Sequence, residues 1–232
     1  MELTTWHKLI RTAVILAMPF FLGLGMILLV IEWNWPSYPA WEYGRIPPDN
    51  YGLTPEQRLD LAQQTLAYLR QPGRADDVIV LLEELRLPDG LPLYNGREIG
   101  HMLDVKNVTD TIRAVWLVAG IVVVVGSLAL LLKPETAIYG WRTIMWGGVF
   151  TVVMLAAIAL FILLAWDLFF VQFHELLFPA GTWTFAYTDG LIRLFPEQFW
   201  FDVGVIMSGG ALLLGVFTAV WGFLMARRIS EQ

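Results

Sequence analysis

Four stretches of this chain contain no charged residue: 12–31, 114–132, 143–166 and 203–226, of 20, 19, 24 and 24 residues. About 20 apolar residues span the hydrocarbon of a bilayer, and a charge at its centre costs about 2.5–3.5 kcal/mol on insertion scales. Each stretch therefore predicts a transmembrane helix. Composition agrees, since 57% of residues are hydrophobic and only 16% charged, with a mean hydropathy of +0.60. Lys8 and Arg11 precede the first stretch as in a secretory signal. Its apolar run exceeds the usual roughly 7–15 residues, however, and no small-residue cleavage site closes it, so it reads as a retained helix. The expected fold is an all-α integral membrane protein: one membrane domain, 1–232, with four spans and a small extracytoplasmic cap.

Charge asymmetry gives a sidedness. Lys8 and Arg11, then Lys133 and Arg142 in a ten-residue loop, then Arg227 and Arg228 flank the spans on one side. By the positive-inside rule that side, with both termini, is cytoplasmic, and residues 32–113 and 167–202 lie outside. These outer segments hold 18 acidic against 9 basic side chains, so any chemistry is expected there. Trp33, Trp35, Trp41, Trp183 and Trp200 stand just beyond span ends, where indoles anchor at the interface. The fourth span places Gly204, Ser208, Ala211, Gly215 and Ala219 at spacings of four, three, four and four, a stripe that reads as helix packing.

Within the first outer segment, Pro36, Pro39, Pro47 and Pro48 predict irregular chain. Thr54-Pro55-Glu56-Gln57 then offers an N-cap, a proline at N1 and a glutamine at N3, predicting a helix over 55–70 with Leu59, Ala62, Leu66 and Leu69 as its apolar face. A shorter helix is expected over 75–85, and Pro88-Asp89-Gly90 turns the chain.

Beyond that turn, Arg97 through Lys106 runs into the second span without a proline, so one helix is expected. On it Glu98, His101 and Asp104 share a face, and carboxylates one turn either side can hold a histidine in one tautomer and keep it basic. The plainer reading is a solvated ion-pair cluster above the membrane. His174 follows the third span among four phenylalanines, Phe169, Phe170, Phe173 and Phe178, a setting that usually means interfacial packing. Two histidines at the outer mouth of the same spans are more suggestive together. His7 lies on the opposite side without carboxylates and is set aside.

Several chemistries are excluded. The absence of cysteine removes disulfides, thiolate metal sites, a cysteine nucleophile and lipid attachment to this chain itself. A net charge of -6 without a long basic run argues against nucleic acid as a partner. H-E-x-x-H, G-x-S-x-G and phosphate-loop motifs do not occur, and the sequon Asn107-Val108-Thr109 sits at the membrane boundary.

Taken together, the four spans, the motif from Arg97 to Lys106, Phe173-His174, and the stretch from Trp183-Thr184-Phe185 through Asp189-Gly190-Leu191-Ile192-Arg193-Leu194-Phe195-Pro196 to Phe199-Trp200 resemble the lipoprotein intramolecular transacylase family over nearly the whole chain. The resemblance implies an acyltransferase that moves the sn-2 acyl chain of a diacylglyceryl-modified lipoprotein onto the α-amine of its N-terminal cysteine, leaving the lyso form. It implies no cofactor and no bound metal, with lipoprotein and membrane lipid as partners. His101 and His174 would correspond to the family's two essential histidines. Glu98 and Asp104 would orient His101, and Asp189 and Arg193 would shape the outer loop. Tyr94, Asn95, Arg97, Lys106 and Trp183 complete the expected orienting or substrate-binding set. The alternative reading is a non-catalytic membrane module whose cap binds an envelope protein, lipid or metal.

Overall fold

The computed structural model describes residues 4–32 and 37–231. Trp33, Trp35 and Pro36 lie outside the described residues. Ten helices are described: α1 (Thr5–Glu32), α2 (Tyr38–Glu42), α3 (Pro55–Arg70), α4 (Ala75–Val78), α5 (Val80–Glu83), α6 (Gly96–Leu131), α7 (Pro134–Leu164), α8 (Trp166–Leu177), α9 (Gly190–Leu194) and α10 (Glu197–Ser230). Four of them, α1, α6, α7 and α10, are long and apolar enough to cross a membrane, and they contain the four charge-free stretches almost entire. One isolated antiparallel bridge pairs Arg86 with Pro92.

Two compact units divide the chain. The first comprises residues 1–28, 112–164 and 205–232, and the second comprises 29–111 and 165–204. In the first, small residues let backbones approach. A Cβ on Gly148 would stand 2.5 Å from the Ala219 nitrogen, and one on Gly222 2.5 Å from the Met145 nitrogen, so α7 and α10 touch main chain to main chain. The stripe in the fourth span thus packs through Gly215 and Ala219 against a partner glycine on α7. On α1, Val14 and Met18 are buried with Val123 of α6, and Phe21 stacks on Trp116 at 5.8 Å.

Two span boundaries differ from expectation. The inner loop predicted over 133–142 is only Leu132 and Lys133, because Pro134 starts α7 and nothing in 135–142 breaks a helix. At the other end α7 stops at Leu164. Ala165, with φ -150° and ψ 55°, separates it from α8, so the third span does not run on to Trp166 as the charge count implied.

The second unit carries the shorter helices. Thr54 caps α3 as its sequence requires: its hydroxyl accepts from the Gln57 N–H, and its own N–H donates to Gln57 Oε1. The buried face of α3 is Arg58, Leu61, Ala62, Thr65, Tyr68 and Leu69, rotated from the predicted set so that Leu59 and Leu66 are only half-buried. Three of those six are polar or amphipathic, with partners far along the chain, which an apolar period cannot register. The helix expected over 75–85 is interrupted at Ile79 into α4 and α5. The Pro88-Asp89-Gly90 turn closes through the Gly90 N–H on the Leu87 carbonyl, with Gly90 at φ +87° where a side chain would be strained.

Candidate active site

At the start of α6, Asn95 and Glu98 cap each other. The Asn95 side-chain oxygen accepts from the Glu98 N–H (3.1 Å), and Glu98 Oε2 accepts from the Asn95 N–H (2.8 Å). This fixes the first turn of the helix, and His101 follows one turn on. This residue is 8% exposed. On α8, the ring of His174 lies 6.3 Å from that of His101, the two inclined by 26°. The structure thus brings the two imidazoles together.

Aromatic rings enclose the pair. Phe178 and Phe185 contact His101 at 4.8 and 5.4 Å, while Phe170 and Trp183 contact His174 at 4.1 and 4.9 Å. Taking the imidazoles out of water disfavours their charged forms. Burial, with a smaller contribution from neighbouring His174, pushes His101 down to about 4. Burial also lowers His174, partly opposed by its bond to Phe170. Both rings are accordingly neutral at neutral pH, each with one N–H and one lone pair.

His174 has a defined tautomer. Its Nδ1 stands 2.7 Å from the Phe170 carbonyl, an acceptor, so Nδ1 carries the proton and donates it there. The lone pair is left on Nε2. His101 Nδ1 is buried with no hydrogen-bond partner among the described residues, and Trp183 Nε1 is in the same condition.

Other predicted residues fall into different clusters. Glu98 is 1% exposed, but its carboxylate does not serve His101: Oε1 accepts from the Leu191 N–H at 2.7 Å. Desolvation raises its pKa. Asp189 joins the same brace, meeting Asn95 Nδ2 at 3.3 Å and Arg97 at 3.4 Å while accepting from the Ala186 N–H. Arg97 also lies over the Phe185 ring at 5.8 Å, which links the brace to the histidine cluster. Tyr94 is buried, its hydroxyl 2.6 Å from that of Thr65.

Arg193 makes a buried two-point contact with Asp49, at 3.1 and 3.0 Å, and donates to the Tyr51 carbonyl. Lys106 is 1% exposed and gives its ammonium to both oxygens of Asp110. Asp104 has no hydrogen bond or ion pair with any described residue. The site residues named from sequence thus separate into a histidine and indole cluster, a brace of Asn95, Arg97, Glu98 and Asp189, and two independent ion pairs, with Tyr94 bonded to Thr65 and Asp104 outside all of these.

Sequence reasoning missed Arg58 and Glu42. The Arg58 guanidinium is buried, lies 4.4 Å over the Tyr43 ring and donates to the Arg193 and Pro47 carbonyls. Glu42 is 0% exposed and accepts from the Tyr38 hydroxyl at 3.1 Å, and its other oxygen has no hydrogen-bond donor among the described residues. Burial, and then the adjacent Asp202 carboxylate, pushes Glu42 up to about 7. Trp166, in ring contact with Phe170 at 5.6 Å, also lines a cavity of about 600 Å³ with Tyr51, Arg58, Tyr187 and Arg193. Among the described residues no three His, Asp or Glu side chains converge as metal ligands would.

Comparison with known proteins gives this geometry a context. In meso structures of the membrane-integral lipoprotein intramolecular transacylase Lit from Bacillus cereus share the fold, one with a TM-score of 0.64 at 21% identity, covering 97% of this chain and 96% of that one. A histidine-to-alanine form of the same protein gives 0.64 at 20% identity over 98% and 96% of the two chains. An uncharacterized protein of Aquifex aeolicus (strain VF5) is 28% identical over 222 residues, 94% of this chain and 95% of its own. The family described as lipoprotein intramolecular transacylase Lit matches residues 12–200, a span that includes α1 to α9 almost entirely and both facing imidazoles. This four-span membrane protein therefore belongs to the lipoprotein intramolecular transacylase family of acyltransferases.

Proposed function

We propose that His101 and His174 form a general acid–base pair. It transfers the sn-2 acyl chain of a diacylglyceryl-modified lipoprotein to the α-amine of its N-terminal cysteine, at the extracytoplasmic face of a cell membrane. The observation that carries this reading is the fixed tautomer of His174 beside a second neutral imidazole. A proton acceptor and a donor must each come within about 3 Å of groups on one tetrahedral centre. Ring centres 6.3 Å apart leave room for that centre.

The reaction follows from the residues present. The amine nitrogen attacks the ester carbonyl carbon, and the carbonyl π pair moves onto its oxygen. His174 Nε2 accepts a proton from nitrogen. Collapse restores the carbonyl and breaks the bond to the glycerol oxygen, which takes a proton from the N–H of His101. The proton taken up by His174 then passes, through solvent or substrate, to the ring nitrogen that His101 has vacated, and both rings end neutral. Donor and acceptor belong to one molecule, so an encounter between two substrates is avoided and neither a serine nor a thiol intermediate is needed. Deprotonating an α-amine of pKa about 8 at pH 7 costs only about 1.4 kcal/mol.

The test is the fraction of a reporter lipoprotein converted from diacyl to lyso form, read by mass spectrometry of its N-terminus. Replacing His101 or His174 by Asn should lower turnover by about 100-fold or more at equal protein level. The double variant should be little worse than the poorer single one, because both groups act on one transition state. Undiminished conversion by either well-expressed single variant would overturn the mechanism and favour a binding module.

A further inference from the structure

Of the buried side-chain atoms without a hydrogen-bond partner, two belong to the histidine cluster: His101 Nδ1 and Trp183 Nε1. They are not equivalent. An imidazole nitrogen changes between donor and acceptor with its tautomer, whereas an indole N–H is only a donor. A buried donor left without an acceptor is rare in a native fold. The ring neighbours of Trp183 are Phe170 at 6.5 Å and His174 at 4.9 Å. Phenylalanine offers no conventional acceptor, His174 Nδ1 is already committed to the Phe170 carbonyl, and the Nε2 lone pair of His174 does not accept from the indole.

The chain leading to Trp183 is held in place. Thr182 bonds back to the Pro179 carbonyl through both its N–H and its hydroxyl, and Gly181 takes φ +82° to make that turn. The backbone is thus held up to Trp183, and the indole itself packs on Phe170 and His174, an arrangement that suits a preorganised donor.

We infer that Trp183 is a further catalytic residue, its indole N–H donating to the oxyanion of the tetrahedral intermediate beside His174. This rests on the transacylase reading above. As the amine adds, the C–N bond forms and the carbonyl π pair becomes the oxyanion lone pair that Nε1–H meets. When the intermediate collapses, that pair re-forms the carbonyl and the bond to the glycerol oxygen breaks. Trp183 neither gains nor loses a proton. A donor that meets charge developing on oxygen acts more on the transition state than on the bound ester, so its loss lowers kcat and leaves KM nearly unchanged.

Two variants separate the N–H from the ring. Trp183→Phe removes the donor with part of the ring, and β-(3-benzothienyl)alanine placed at 183 keeps the bicyclic shape with sulfur in place of N–H. Using the full-length protein in lipid nanodiscs and a synthetic diacylglyceryl lipopeptide, both should lose about 100-fold in kcat, with KM within about threefold of wild type. An N-acetylated lipopeptide, which cannot attack, should bind both as it binds wild type. If Trp183→Phe no longer binds this analogue, ring packing has been lost and the benzothienylalanine protein decides alone. A benzothienylalanine protein with kcat within threefold of wild type, or with its whole loss in KM, overturns the inference. Failure of the wild-type protein to transfer any acyl group would instead sink the transacylase reading.

Discussion

Glu42 and His101 are both buried titratable side chains, yet they bind protons in opposite senses. The unfolded His101 takes a proton near 6.5 and the folded one only near 4. Between those values the unfolded chain binds more protons, and the contribution of His101 to stability is lost as pH falls. Glu42, raised from 4.5 to about 7, binds more protons when folded, so its contribution is lost as pH rises through that window. A Glu42→Gln protein keeps an acceptor for Tyr38 and places an amide donor toward Asp202. Its melting temperature should hold steady between pH 5 and 8 while that of wild type declines, by up to about 3 kcal/mol of stability at 1.36 kcal/mol per unit. Parallel pH dependences for the two proteins would show that the acid pair holds no proton. Neither Glu42 nor Arg58 stood out in the sequence, because each is an isolated charged residue. The Arg58 guanidinium meets the Arg193 carbonyl 135 positions away, and Arg193 reaches Asp49 across 144. The histidines were legible because each lies near a span whose position the missing charges reveal.

Helix periodicity placed Glu98, His101 and Asp104 on one face of α6, and that helix is continuous as expected. Shared spacing did not settle partnership. The Glu98 carboxylate turns to two backbone N–H groups, one of them 93 residues away, because a buried main-chain donor is costly to leave unmet. Glu98→Gln can still accept one of these bonds but not both on oxygen. It should therefore lower thermal stability by about 1–3 kcal/mol and reduce activity less than either histidine replacement. A loss of turnover as large as that of His101→Asn, with unchanged melting, would make Glu98 a participant in proton transfer. Close approach between α7 and α10 has its own test. Gly148→Val puts a branched side chain against the backbone of Ala219 and Gly215, and it should sharply reduce the yield of folded protein. Wild-type yield would mean that the two helices can part without penalty. The stripe on α10 was visible in sequence, but its partner Gly148 was not, since a lone Gly-Gly pair in an apolar run has no period. The break at Ala165 also lacked a signal, with no glycine or proline to mark it.

For the whole molecule, the distribution of charge supports a topology with both termini in the cytoplasm and residues 32–113 outside. The chain has no cysteine, so single replacements report cleanly. Gln71→Cys should react with an impermeant thiol reagent in intact cells, and Gln232→Cys only after permeabilisation. The reverse pattern would invert the assignment and put the histidines on the cytoplasmic side. Whichever side it faces, α8 gives the molecule an unusual dependence on its surroundings. None of its residues is buried, and Leu168, Phe173 and Leu176 are 55%, 43% and 82% exposed. Water is a poor neighbour for such a surface, and α8 follows a membrane span after a single residue. The helix that carries His174 thus presents an apolar surface suited to an amphiphile. If His174 is the base, as proposed, conversion of the reporter lipoprotein by purified protein should vary with the detergent or bilayer that covers this surface.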